Sequence, residues 1–193
     1  MREQSIVGNY YRMAPRERLN AIVFHFDCFP AIIRDYEMEL EDWILTGWAK
    51  ARQESLGELG VRIQCGDPSS SPTFNRAEAE IHAEKIVRDR CLDASCRELA
   101  DRDDIARGLL ELQLMQKEYG RIKIKIRKLP EDERDLLKKY VSRVERTAEL
   151  AQELQITQRA VKKKLYRIRL KLYAGYVESL RTYDDESILM LGI

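Results

Sequence analysis

Between Arg159 and Lys171 the chain carries seven basic residues, Arg159, Lys162, Lys163, Lys164, Arg167, Arg169 and Lys171, and no acid interrupts them. Ammonium and guanidinium groups at that density suit the neutralisation of a polyanion. Arginine can also fork onto a guanine edge, and Gln158 can pair with adenine. Double-stranded DNA is therefore the first expected partner. The expected contact set is Thr157, Gln158, Arg159, Lys162, Lys163, Tyr166, Arg167 and Arg169. The competing physical reading is a basic face that is merely solvated, or that binds a protein.

Such a face needs a frame, and the residues from Thr147 to Leu172 supply one. Thr147 is read as an N-cap, and Ala148, Leu150, Ala151 and Leu154 follow as one apolar stripe at helical spacing. Gln155-Ile156-Thr157 is a short turn, in which Ile156 plugs the angle between two helices and Thr157 caps the second. Val161, Leu165, Ile168 and Leu172 recur at spacings of four, three and four, which marks the inner face of that second helix. The arrangement is a helix-turn-helix with its polar and basic residues outward.

Upstream stand Leu129-Pro130-Glu131-Asp132-Glu133-Arg134-Asp135-Leu136-Leu137 and then Tyr140. Pro130 suits a helix start because its missing amide costs nothing there, and the acids favour the helix dipole. This run followed by the helix-turn-helix resembles region four of bacterial sigma factors, which in that family recognises the upstream promoter element. The resemblance covers about Leu129 to Tyr173, less than a quarter of the chain. Its most specific parts are Leu129-Pro130 and Ile156-Thr157-Gln158-Arg159-Ala160-Val161-Lys162. Two departures stand out. Gln155 occupies a turn position where glycine is usual, and the basic helix runs on to Tyr173 or further. No counterpart of the sigma segment that melts promoter DNA is found.

Composition sets the outer bounds. The 193 residues include only nine glycines and five prolines, which suits an all-α protein. A net charge of +1 conceals segregation. Residues Arg121 to Arg181 hold 18 Lys and Arg against 8 Asp and Glu, a net of +10, which leaves −9 for the remainder. No stretch is apolar enough to cross a membrane, and the opening MREQSIVGNYY lacks a signal peptide's core, so the expected location is the cytoplasm. Cys28, Cys65, Cys91 and Cys96 are scattered and read as small buried hydrophobes, with no metal site or cofactor expected. No nucleophile, base or carboxylate set stands at a recognisable spacing, so an enzyme is not expected.

Along the chain five segments are expected. Residues 1–63 form a helical N-terminal region, 64–74 a Pro/Ser linker, and 75–120 a helical segment suited to oligomerisation. Residues 121–181 form the sigma-like helix-turn-helix domain, and 182–193 a tail. In the first segment Pro15-Arg16-Glu17-Arg18 opens a helix with Leu19, Ile22, Val23 and Phe26 on its apolar face. Pro30 breaks it, and a second helix runs from Ala31 through Glu58 with Ile32, Ile33, Tyr36, Leu40, Trp43, Ile44 and Leu45 buried. His25 is expected to be a core or boundary histidine. Gly66-Asp67-Pro68-Ser69-Ser70-Ser71-Pro72 is a flexible connection. Helical patterning resumes at Asn75, either as one long helix or as a hairpin broken near Ala100 to Asp104. Arg121 to Lys128 alternates like a strand, yet helix is preferred because Ile122, Ile126 and Leu129 then align.

The length, the serine-rich break and the sigma-like C-terminus together resemble phage-encoded late transcriptional regulators of the RinA/ArpU type. That resemblance implies a sequence-specific regulator working beside or upon RNA polymerase, with homo-oligomerisation open. Two alternatives stay open as well: a phage DNA-packaging small terminase subunit, and a sigma-like domain used only for protein contact.

Overall fold

The computed structural model describes residues 6–55, 72–97, 99–141 and 146–191. Their regular structure is all helical, with no strand among the described residues. The helices are α1 (Pro15–Phe24), α2 (Phe29–Ser55), α3 (Pro72–Asp89), α4 (Arg102–Arg127), α5 (Glu131–Val141), α6 (Arg146–Glu153) and α7 (Gln158–Leu191). Short 3-10 turns occupy Tyr10–Arg12 and Ala94–Cys96.

Local chemistry explains most of the boundaries. Pro15 opens α1, and the Glu17 carboxylate accepts from the Ala14 N–H at 3.0 Å, one half of a capping box. The chain turns at His25 to Cys28 ahead of Pro30, so the break precedes the proline, and α2 starts at Phe29 rather than Ala31. His25 is buried, with its ring edge-on to Phe24. Arg90 ends α3 in the left-handed region at φ 56°, and the Cys91 N–H returns to the Ile86 carbonyl, which closes the helix as a Schellman motif does. The interruption after Asn75 therefore falls at residues 90–101, earlier than the spacing suggested. Arg121 to Arg127 is helix, with Ile122 and Ile126 buried and Ile124 exposed. The proposed linker lies mostly outside the described residues, and α3 begins at Pro72.

Packing sorts the residues into two units: residues 1–31 with 116–193, and residues 32–115. The segments expected from chain order are thus grouped differently by contact, because residues 6–31 pack with the C-terminal helices.

The core of the first unit holds Ile6, Tyr10, Leu19, Ile22, Val23 and Phe29 together with Ile122, Leu137, Leu150, Val161, Leu165, Ile168, Leu172 and Tyr176. Inside it lies a carboxylate. Glu118 is fully buried, accepts from the Tyr10 Oη at 2.6 Å, and meets the Arg18 Nε at 3.1 Å. Burial, with Glu118 alongside, raises the phenol pKa values of Tyr10 and Tyr176 well above the ordinary value, so both phenols stay protonated. Phe29 stacks on Tyr119 at 5.5 Å next to this cluster in sequence.

The second unit buries Ile32, Ile33, Tyr36, Leu40 and Ile44 of α2, Ala83, Ile86 and Val87 of α3, and Ile105, Leu109 and Leu112 of α4. Trp43 is not the core residue expected of it, and Trp48 is only half-buried. Trp43 is 38% exposed and points its indole N–H at Asp101 over 3.4 Å, while Trp48 donates to the Ser95 carbonyl at 3.1 Å. An indole gains by leaving its N–H where an acceptor can reach it. Leu45 is half-buried, and Ile81 and Leu110 are exposed. Around Trp48 the chain is pinned by Asp93, which accepts from Ser95 and from His82; these bonds, Ser95 first, lower its carboxyl pKa to about 2. Of the described cysteines, Cys96 is buried, Cys28 is half-buried, and Cys91 is exposed because it falls just past the end of α3, while Cys65 lies outside the described residues.

Gly108 looks like a weak point in α4 but has a packing reason. A Cβ there would lie 2.6 Å from Leu40 Cδ2 and 3.1 Å from the Tyr36 Oη, both buried. Gly120, on the same helix, has nothing within 4 Å. Gly108→Ala is expected to lower stability by about 1–2 kcal/mol, the overpacking cost less the gain in helix propensity. Gly120→Ala should raise it by about 0.5–1 kcal/mol. Chemical denaturation reads both, and equal stabilisation by the two changes would refute the close α2–α4 approach.

Candidate nucleic-acid interface

The site is assembled from α5, α6 and α7. Pro130 precedes α5, Glu131, Asp132 and Glu133 fill its first turn, and Leu136 and Leu137 are buried. Helix α6 starts at Arg146, so Thr147 sits inside its first turn instead of capping it. Leu150 and Ala151 are buried as the stripe required, but Leu154 lies past the last turn and is 38% exposed.

The join between α6 and α7 is built by local hydrogen bonds. Gln155 adopts φ 51°, the left-handed conformation that glycine would take without strain. The Ile156 N–H reaches the Ala151 carbonyl at 3.1 Å, which satisfies an orphan acceptor at the end of α6. Thr157 Oγ1 accepts from the Ala160 N–H at 3.2 Å and so caps α7. Ile156 is half-buried in the angle.

Helix α7 presents two faces along its described side chains. Val161, Leu165, Ile168 and Leu172 are all buried, and Tyr176 continues the same stripe. On the opposite side Arg159, Lys162, Lys163, Tyr166 and Arg167 are exposed, and Thr157 and Gln158 are exposed at the helix start. Among the described residues no acid pairs with Arg159, Lys162, Lys163 or Lys164, whereas Lys171 pairs with Glu133 of α5.

Two of the expected contact residues sit differently from the rest. Arg169 is not on the open face: it is half-buried, donates to the Tyr140 Oη at 3.2 Å, and lies over the Tyr140 ring at 5.5 Å from its centroid. A guanidinium stacked on a phenol is held by protein, and its charge is directed inward. Arg167 shares the wall of a cleft of about 420 Å³ with Lys164, Leu154 and the α5 acids Asp132 and Asp135. Those carboxylates put negative charge in the same cleft as Arg167. The unscreened basic surface therefore centres on Arg159, Lys162 and Lys163, with Tyr166 beside them.

Among the described residues no three His, Cys, Asp or Glu side chains gather as a metal site, and no helix is long and apolar enough to cross a membrane. Comparison with protein-family models, with curated proteins and with solved structures gave no match.

The division of labour on α7 is measurable as stability. Arg169→Ala should cost about 1–2 kcal/mol through lost packing and the lost Tyr140 contact. Lys163→Ala, on the open face, should leave stability within about 0.5 kcal/mol. Thermal unfolding of both variants checks this, and an equal response would mean that Arg169 is as free as Lys163.

Proposed function

We propose that the chain is a sequence-specific DNA-binding transcription regulator whose C-terminal helices form a helix-turn-helix similar to sigma factor region four. On this reading it acts with RNA polymerase on phage or prophage late genes, as regulators of the RinA/ArpU type do. The observation that carries the reading is the exposed, acid-free arc of Arg159, Lys162 and Lys163 on the outer face of a capped helix whose inner face is buried.

The geometry suits a major groove. Arg159 to Tyr166 spans about 10 Å of helix axis at 1.5 Å per residue, or roughly three base steps. The groove is about 12 Å wide and admits one helix. Arg159 and Gln158, in the first turn, would meet base edges, while Lys162 and Lys163 would take phosphates and set the register. Helix α6 would cross the backbone and hold α7 at its angle. Arg169, clamped to Tyr140, would position the helix without touching DNA.

The test is selection of bound duplexes from a randomised and phage-genomic library, with Lys162→Ala/Lys163→Ala as the control. An enriched motif upstream of late genes, lost in the control, is the expected result. Lys162→Ala should also lower the salt slope of binding by about 1. Enrichment at a packaging site would instead favour the small terminase reading, and equal recovery by wild type and control would sink DNA binding through this face.

A further inference from the structure

Beyond the basic arc, α7 carries a second apolar stripe on the face opposite its core. Tyr166 is 54% exposed and Leu170 48%; Ala174 is exposed, and Tyr173 and Val177 are half-buried. Spacings of four, three, one and three place these five residues on one strip, on the side of the helix away from Val161, Leu165, Ile168, Leu172 and Tyr176. A helix apolar on two opposite sides is a helix normally covered on both. DNA is a poor occupant for the outer strip. Leu170 lies about 16 Å along the axis from Arg159, beyond the span of the base-reading turns, and an isobutyl group gains nothing from phosphate.

Charge selects the occupant. Residues 158–171 of α7 hold seven bases and no acid, while residues 178–186 hold Glu178, Asp184, Asp185 and Glu186 against Arg181 alone. The α7 backbone is helical from Gln158 to Leu191, so both charged stretches belong to one continuous helix with the apolar strip between them. We propose that the outer face of α7 from Tyr166 to Val177 docks on the same face of a second copy of this chain, with the two helices antiparallel.

A parallel pair would lay base against base and acid against acid. In the antiparallel pair, centred between Tyr173 and Ala174, position 170 of one copy faces position 177 of the other. Positions 163 and 162 then face positions 184 and 185. The contact is isologous, as a two-fold dimer requires, and each copy contributes both halves of the charge match. The apolar middle supplies burial, and the charged flanks set orientation and register. The pairing covers Lys162 and Lys163. On the DNA-binding reading, on which this last consequence alone rests, the resting pair and DNA compete for the same lysines.

Sedimentation equilibrium of the full chain without DNA, across a wide concentration range, tests the pairing independently of any nucleic acid. Wild type should show a monomer–dimer equilibrium that weakens as salt rises. Leu170→Glu, at an exposed position that leaves the helical circular dichroism unchanged, should weaken association about tenfold or more. Two charge-reversed chains, Lys162→Asp/Lys163→Asp and Asp184→Lys/Asp185→Lys, should each fail to self-associate but should pair when mixed, since every reversed contact is then complementary. A wild type that stays monomeric throughout, a Leu170→Glu chain that dimerises as well as wild type, or a mixture that remains monomeric would each overturn the proposal.

Discussion

In the first unit, one buried carboxylate ties together segments that are remote in sequence. Glu118 projects from α4 into an apolar interior, and an ionised group there is stable only if it is paired and hydrogen-bonded. Its partners are Arg18 of α1 and Tyr10 of the preceding turn. Tyr176, on the buried stripe of α7, is electrostatically coupled to both Glu118 and Arg18. Removing any partner leaves charge or a polar atom stranded in the core, so residues 6–31 and α7 are bound to one fate. The basic helix is therefore held from behind by residues more than a hundred positions away.

That hold gives the outer surface of α7 its definition. With one stripe fixed by Leu165, Ile168 and Leu172, the rotation of the helix is set, and the other side chains have fixed directions. The run of seven bases divides accordingly. Lys171 and Arg169 are taken up by Glu133 and Tyr140 of α5, and Lys164 and Arg167 share a cleft with α5 acids. Arg159, Lys162 and Lys163 are left facing outward. The outward-facing basic surface is narrower than the basic run, and an apolar strip continues it along the same side.

Much of this was legible wherever the signal is local. The spacing of Val161, Leu165, Ile168 and Leu172, the Thr157 cap and the left-handed Gln155 each follow from a few neighbouring residues. So does the helical state of Arg121 to Arg127. What could not be read depends on distant partners: the packing of residues 6–31 with the C-terminal helices, the exposure of Trp43, the need for glycine at 108, and the inward turn of Arg169. One signal for the buried cluster was available. Glu118 falls at spacings of three and four between Met115 and Ile122, both fully buried, so an acid on a core stripe already demanded a partner. Nothing in the sequence near Tyr10 or Arg18 identified them as that partner.

The most direct measurement is lysine-reactivity footprinting by mass spectrometry, with a dilute full-length chain in the presence and absence of mixed-sequence duplex DNA at low salt. The account predicts strong protection of Lys162 and Lys163, with Lys138 of α5 and Lys85 of α3 unchanged. Unchanged reactivity of Lys162 and Lys163 under saturating DNA would contradict it.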